Sequence, residues 1–233
     1  MLCMGEISPQ LADNEAWVDQ TFEKCDDILH RQVYLGQGRQ EGLLVYVEVA
    51  VSNLMLEEHV IGLSDVQPLK SYEEGKTALL AGNGLLFLDG DTNCYKISSK
   101  GYPGLGVEKA ENEKVIRGSQ EAFTESEKTN VALIRKRLRD SRMKVEEQAV
   151  GVRSHTMTAL VYMEDLIYPG LLTTMKQQLQ RYEIDGILDS GMLEQLSEKH
   201  WLSPFPQFQT TERPDRAAAA VLEGRIVLVT DHS

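Results

Sequence analysis

The 233-residue chain has too few cysteines, and too badly placed, for a disulfide or zinc framework. Cys3, Cys25 and Cys94 are odd in number and widely spaced. No CxxC pair or Cys/His cluster has metal-ligand spacing, and reduced thiols in a cytosolic setting are the simplest reading. A long apolar run is also missing. The longest, Leu43 to Val51, is interrupted by Glu48 and falls short of the roughly 20 residues a membrane helix needs. The first ten residues, MLCMGEISPQ, have neither a basic start nor an apolar stretch of secretory type. Positive charge is scarce: 24 Lys and Arg stand against 36 Asp and Glu, a net charge of -12. Phosphate backbones repel such a surface, so nucleic acid is not an expected partner, and the same charge opposes self-association.

Catalytic signatures are missing as well. Ser154 and His155 are sequence neighbours, which rarely face each other, and no GxSxG elbow exists. GYPGLG, Gly101 to Gly106, lacks the lysine and threonine of a phosphate loop. His30, His59, His155, His200 and His232 are scattered. Asp185, Gly186 and Asp189 read as a solvated acidic turn, because the alternating oxygen ligands of a calcium loop are absent. No catalytic residue, metal or cofactor is expected, and the chain does not read as an enzyme.

What is present is ordinary globular chemistry, 42% hydrophobic and 26% charged, and an internal duplication. The first copy opens at Asn14, carries Trp17, Val18 and Phe22 at helical spacing, runs through Ile28 to Leu35, turns at Gly36 and enters LLVYVE, Leu43 to Glu48. The second opens at Asn130, carries Leu133, Ile134 and Leu138, runs through Met143 to Val150, turns at Gly151 and enters ALVYME, Ala159 to Glu164. The copies end alike, in LLAGNGLLFLDG and VLEGRIVLVTD. The two asparagines read as helix N-caps, and the short β-branched runs as buried strands. Helices are expected at about Ser52 to Gly62, Gly170 to Tyr182 and Arg216 to Leu222, the last ended by Gly224.

The expected fold is α/β, with two similar lobes, each a small mixed sheet with flanking helices. An N-terminal tail covers 1–13, the first lobe 14–91, a linker packing across the lobes 92–129, and the second lobe 130–233. The linker begins with a short strand at Cys94 to Ile97 and is turn-rich from Lys100 to Gly106. Ser203 to Asp215 contains three prolines and cannot be one helix. It should be extended, and strand-like around Phe205 to Thr210.

Three ordered stretches carry a family resemblance: RGSQEAFTESEKTNVALIRKRLRD (Arg117 to Asp140), EIDGILDSGMLEQL (Glu183 to Leu196) and SPFPQFQTTERPDRAAAAVLEGRIVLVTD (Ser203 to Asp231). Together they resemble the N-terminal region of the GerA family, which includes the A subunits of nutrient germinant receptors and the related SpoVAF proteins. The resemblance is strong after Arg117 and loose before it. It implies a soluble domain followed by a multi-span membrane part, in the inner membrane of the dormant spore. It implies B-type and C-type partner subunits, an oligomeric pore formed through the membrane part, and a cytoplasmic, spore-core position for this domain. The alternative is a two-lobed small-molecule-binding domain similar to substrate-binding proteins.

Contact candidates cluster in two of these stretches. Arg117, Glu121, Thr124, Glu125 and Asn130 surround the start of a helix. Thr124 or Ser126 reads as its cap, while Arg117 and Glu121 are expected to pair across the lobes. Glu212, Arg213 and Asp215 flank Pro214 at the start of another helix. They read either as a helix-start motif with a local ion pair or as a clamp, in which Arg213 pairs with Glu121 or Glu125 as the two stretches meet. The basic run Arg135, Lys136, Arg137, Arg139, Arg142 and Lys144 reads as a solvated helix face, or as a contact for an acidic partner or an anionic membrane.

Overall fold

The two apolar runs that stand out in the sequence become interior strands, paired on both sides, of two separate sheets. The computed structural model describes residues 5–36, 40–49, 66–98, 113, 119–181, 185–187, 190–197 and 208–231. By its contacts the chain divides into two compact units, 1–103 with 138–141, and 104–137 with 142–233.

The first unit contains α1 (Leu11–Thr21), β1 (Ile28–Leu35), β2 (Gln40–Val47), β3 (Val66–Leu69), α2 (Tyr72–Leu80), β4 (Gly84–Leu88) and β5 (Cys94–Ile97). The strands pair in the order β1-β2-β4-β5-β3, antiparallel at every step. Cys94–Ile97 therefore belongs to the first sheet, between β4 and β3. Alternation along β2 and β4 sends Leu43, Val45, Val47, Leu85 and Phe87 to one face, where they form a core with Val18 and Phe22 from the α1 region and Leu79 from α2. Trp17 stacks on Tyr72 at 4.6 Å between ring centroids. Cys94 is wholly buried, and burial pushes its thiol up to about 12, so it stays protonated and inert in the folded lobe.

The second unit contains α3 (Glu127–Arg137), β6 (Met143–Val150), β7 (Thr156–Met163), α4 (Pro169–Arg181), α5 (Ser190–Ser197), α6 (Pro214–Leu222) and β8 (Val227–Thr230). Its sheet is β6-β7-β8, again antiparallel throughout. Met175 and Leu179 of α4 and Leu193 of α5 pack with Val150 and Leu160.

The lobes repeat one another in register. β1 pairs with β2 from Ile28↔Val47 to Leu35↔Gln40, and β6 with β7 from Met143↔Met163 to Val150↔Thr156. Val45↔Leu85, Leu44↔Leu86 and Leu43↔Phe87 in the first lobe answer to Val161↔Val227, Leu160↔Leu228 and Ala159↔Val229 in the second. The glycines that close the first strands, Gly36 and Gly151, both have positive φ (66° and 89°), as do Gly82 and Gly224 after the last helices. The α/β duplication is as the sequence indicates, except that both sheets are antiparallel rather than mixed. Short connections join β1 to β2, β4 to β5 and β6 to β7, and the longer returns from β2 to β4 and from β7 to β8 also bring the chain back antiparallel. Of the strand-like stretch expected around Phe205 to Thr210, residues 208–210 are irregular and 205–207 lie outside the described residues. The helix expected at 52–62 and the turns at 100–106 lie outside the described residues.

Gly224 supplies a measurable test of this geometry. It has φ +80° and a Cβ there would lie 2.7 Å from the Leu166 carbonyl oxygen; Gly90 has the same φ with nothing within 4 Å. Gly224→Ala combines left-handed strain with a backbone clash and should cost about 2–4 kcal/mol, against about 1 kcal/mol for Gly90→Ala. Denaturant midpoints of the two variants check this; equal losses would show that the approach to Leu166 is not tight.

Candidate functional site

Helix α3 is held at its start by groups from outside it. Ser126 accepts from Thr129 N (3.4 Å), and the Asp231 carboxylate, just past β8, accepts from Glu127 N (3.1 Å). An acidic group at this end also suits the helix dipole. Thr124 accepts from Ser126 N (3.3 Å), so the capping role falls to Ser126, with Thr124 supporting the preceding turn.

Asn130 and Asn14 are not N-caps. α1 and α3 begin earlier, at Leu11 and Glu127, and each asparagine sits one turn inside. Both are buried, at 0% (Asn14) and 2% (Asn130) relative exposure, and both reach back to the entering chain. Asn14 Nδ2 donates to Ser8 O (2.9 Å), and its Oδ1 accepts from Tyr72 OH (2.7 Å). Asn130 Nδ2 donates to Thr124 O (2.6 Å), and its Oδ1 accepts from Thr124 N (2.7 Å) and Thr124 Oγ1 (3.3 Å). The matched positions noticed in the sequence are thus a repeated clamp between a helix and its own entry segment.

The basic run is largely absorbed within the second lobe. Arg135 is fully buried and donates from Nη1 to Met143 O (3.0 Å). Lys136 Nζ lies 2.8 Å from Glu121 Oε1, and Arg137 Nη2 lies 2.5 Å from Glu121 Oε2 and 3.1 Å from Ser119 Oγ. Arg142 pairs with Asp165, and the buried Lys144 with Glu164. A solvated face is therefore the wrong description, and only Arg139 and Arg142 are exposed. Glu121 finds its cations on α3 of its own unit. Arg117, its expected partner, lies outside the described residues.

Lys136, with Arg137 beside it, holds the Glu121 carboxyl below its ordinary value. A carboxyl depressed by folding stabilises the fold above its unfolded pKa of about 4.3, and that contribution disappears as pH falls through the lower folded value. Glu121→Gln should cost about 1 kcal/mol at pH 7 and progressively less in acid. Unfolding curves at pH 7 and at low pH check the sign; a cost that grows on acidification would exclude the ion-pair account.

The stretches after Arg117 and around TERPD meet, but through backbone: Phe123 N donates to Glu212 O (2.8 Å). The first lobe has the same join in its Glu6↔Ser71 bridge, so this contact is part of the repeated fold. Arg213 does not reach Glu121 or Glu125. Its Nε and Nη2 donate to Asp215 Oδ1 (3.1 Å) and Oδ2 (2.6 Å), a bidentate pair that pulls the Asp215 carboxyl below its usual range. Pro214 fills the first helical position, where a missing N–H costs nothing. Arg213 projects along its own chain here, because extended backbone at Arg213 leads straight into a helix whose first turn carries Asp215. Glu125 is exposed and makes no ion pair among the described residues. Glu212 is engaged instead by Glu113: Glu113 N donates to Glu212 Oε1 (2.7 Å). Glu113 carried no sequence signal, since it sits in a charged stretch without periodicity.

Among the described residues no group of His, Cys, Asp and Glu is arranged to hold a metal ion, and no helix is long and apolar enough to cross a membrane. Asp185 receives Arg153 N (2.8 Å) and Ser154 N (3.1 Å) on its backbone carbonyl; Asp189 lies outside the described residues.

Residues 53–233 match the family model described as Bacillus/Clostridium GerA spore germination protein. The chain is 32% identical to the uncharacterized membrane protein YfkQ of Bacillus subtilis, over 97% of this chain and 48% of that protein. It is 29% identical to spore germination protein KA of Bacillus subtilis, over 97% of this chain and 46% of that protein. Stage V sporulation protein AF of Bacillus subtilis matches at 33% over 73% of this chain and 35% of that protein. The chain spans about half the length of the first two. Its fold matches the crystal structure of the N-terminal domain of the A subunit of the Bacillus megaterium spore germinant receptor GerK3, at 23% identity and TM-score 0.75, covering 99% of this chain and 94% of that one. The chain belongs to the GerA family of spore germination proteins.

Proposed function

We propose that this chain is the N-terminal domain of a germinant-receptor A subunit, that it faces the spore core, and that it helps assemble the receptor with B-type and C-type subunits for nutrient-triggered signalling. The observation that carries the reading is the likeness to spore germination protein KA over 97% of the chain. Among the described residues, Lys136, Arg137, Lys144 and Lys176 of the second lobe are spent on ion pairs that hold its own segments together, which agrees with an assembly role. In the organism that encodes it, deletion of the gene should abolish the germination response to particular nutrients while leaving others intact, read as loss of spore refractility. The likeness to stage V sporulation protein AF supports a second reading, an accessory protein of that type, for which deletion should slow the response to every nutrient alike. Unchanged germination with all nutrients would remove both.

A further inference from the structure

In the first lobe, α2 closes its own start. Ser71 Oγ accepts from Glu74 N (3.3 Å), and Glu74 Oε2 reaches back to Lys70 N (3.0 Å), a local box of the Ser-x-x-Glu kind. Helix α6 is the repeat of α2: Gly75 N donates to Ser71 O and Ala217 N to Arg213 O, each at 3.1 Å, at matching places. Here the box has been lost. Arg213 stands where Ser71 does and makes no side-chain cap, and Arg216 stands where Glu74 does. Arg213 is compensated by Asp215 of the same turn, but Arg216 places a cation at the positive end of the helix, the unfavourable sign for its dipole.

The missing carboxylate is supplied from far away in sequence. Glu212 N, the counterpart of Lys70 N, donates to Glu113 Oε2 (3.2 Å). Thr211 Oγ1 donates to the same oxygen (2.5 Å), and Arg216 pairs with Glu113 Oε1. The clasp is reciprocal, since Glu113 N donates back to Glu212 Oε1 (2.7 Å). Glu113 is mostly shielded, at 21% side-chain exposure.

We propose that the start of α6 is a carboxylate-accepting site filled by Glu113, a latch that makes the order of the first turn of α6 conditional on the docking of the Glu113 carboxylate. A helix whose cap is local is indifferent to the rest of the chain. One whose cap comes from a residue distant in sequence reports whether that residue is in place. The charge exchange at the Glu74 and Arg216 positions is what converts the first arrangement into the second.

Hydrogen exchange on the 233-residue chain tests this. Glu113→Ala should raise exchange at Glu212 and across the first turn of α6 by about tenfold or more, leaving α2 unchanged. Arg213→Ser/Arg216→Glu rebuilds the local box. In that background Glu113→Ala should change α6 exchange by less than about threefold. Glu113→Gln, which keeps the oxygen acceptor and loses the charge, should fall between and guards against a failure of the alanine variant to fold. The latch is refuted by unchanged α6 exchange in Glu113→Ala, by an equal rise in α2 and α6, or by undiminished dependence on Glu113 after the box is rebuilt.

Discussion

Arg135→Ala is expected to destabilise the chain by about 3–5 kcal/mol, a large part of the roughly 5–15 kcal/mol typical of a folded domain. Arg135 is one of the largest fully buried side chains among the described residues. It lies on α3 between Val131 and Leu138, both buried, so its methylene stem packs as an apolar side chain would. Its guanidinium donates to Met143 O at the first residue of β6. Truncation removes the packing of the stem, leaves a cavity, and takes one donor from a buried carbonyl; those losses add. Arg135→Met keeps the volume and forfeits the hydrogen bond, and should cost about 1–3 kcal/mol. Urea midpoints for the two variants measure the difference. A loss below about 1 kcal/mol for Arg135→Ala would mean that the site collapses or admits water, contrary to its burial.

The legibility of this residue illustrates a wider pattern. Arg135 is four residues from Val131 and three from Leu138, the spacing of an inward helix face. That signal was available, but a run of six cations outweighs it when charge alone is counted. The repeats were legible because strand alternation and positive-φ glycines leave direct marks in sequence, as in LLVYVE, ALVYME, Gly36 and Gly151. Sheet direction was not, because a short apolar run pairs as readily in either sense until its connections are known. The site residues failed in a related way. Arg213 and Glu121 were rightly expected to need partners, but partner choice depends on which side chain the backbone aims where. Asp215, Lys136 and Arg137 lie on the helix turns that those side chains face. Glu113 was invisible because its role exists only through the residues that α6 lacks.

Asn130→Ala is expected to cost about 2–4 kcal/mol, and Asn14→Ala a comparable amount. Neither residue contributes much apolar area, so the loss is one of hydrogen bonding in places closed to water. At Asn130 the amide holds both backbone polar groups of Thr124, one as donor and one as acceptor. Deleting it orphans both, and the entering segment, with Phe123 N joined to Glu212 O, loses its fastening to α3. At Asn14 the same deletion orphans Ser8 O and takes the acceptor from the Tyr72 O–H, whose oxygen still accepts from Ser8 N (3.1 Å) and whose pKa is already raised by burial. Two aspartate variants separate hydrogen bonding from packing. Asn130→Asp and Asn14→Asp keep size and acceptor but replace the Nδ2 donor with an oxygen set against a carbonyl, which repels it while ionised. Each should be nearly as damaging as alanine at pH 7 and should recover in acid, as protonation restores a donor. If either aspartate variant is fully stable at pH 7, the clamp at that helix contributes through shape alone and the paired asparagines share a position without sharing a role.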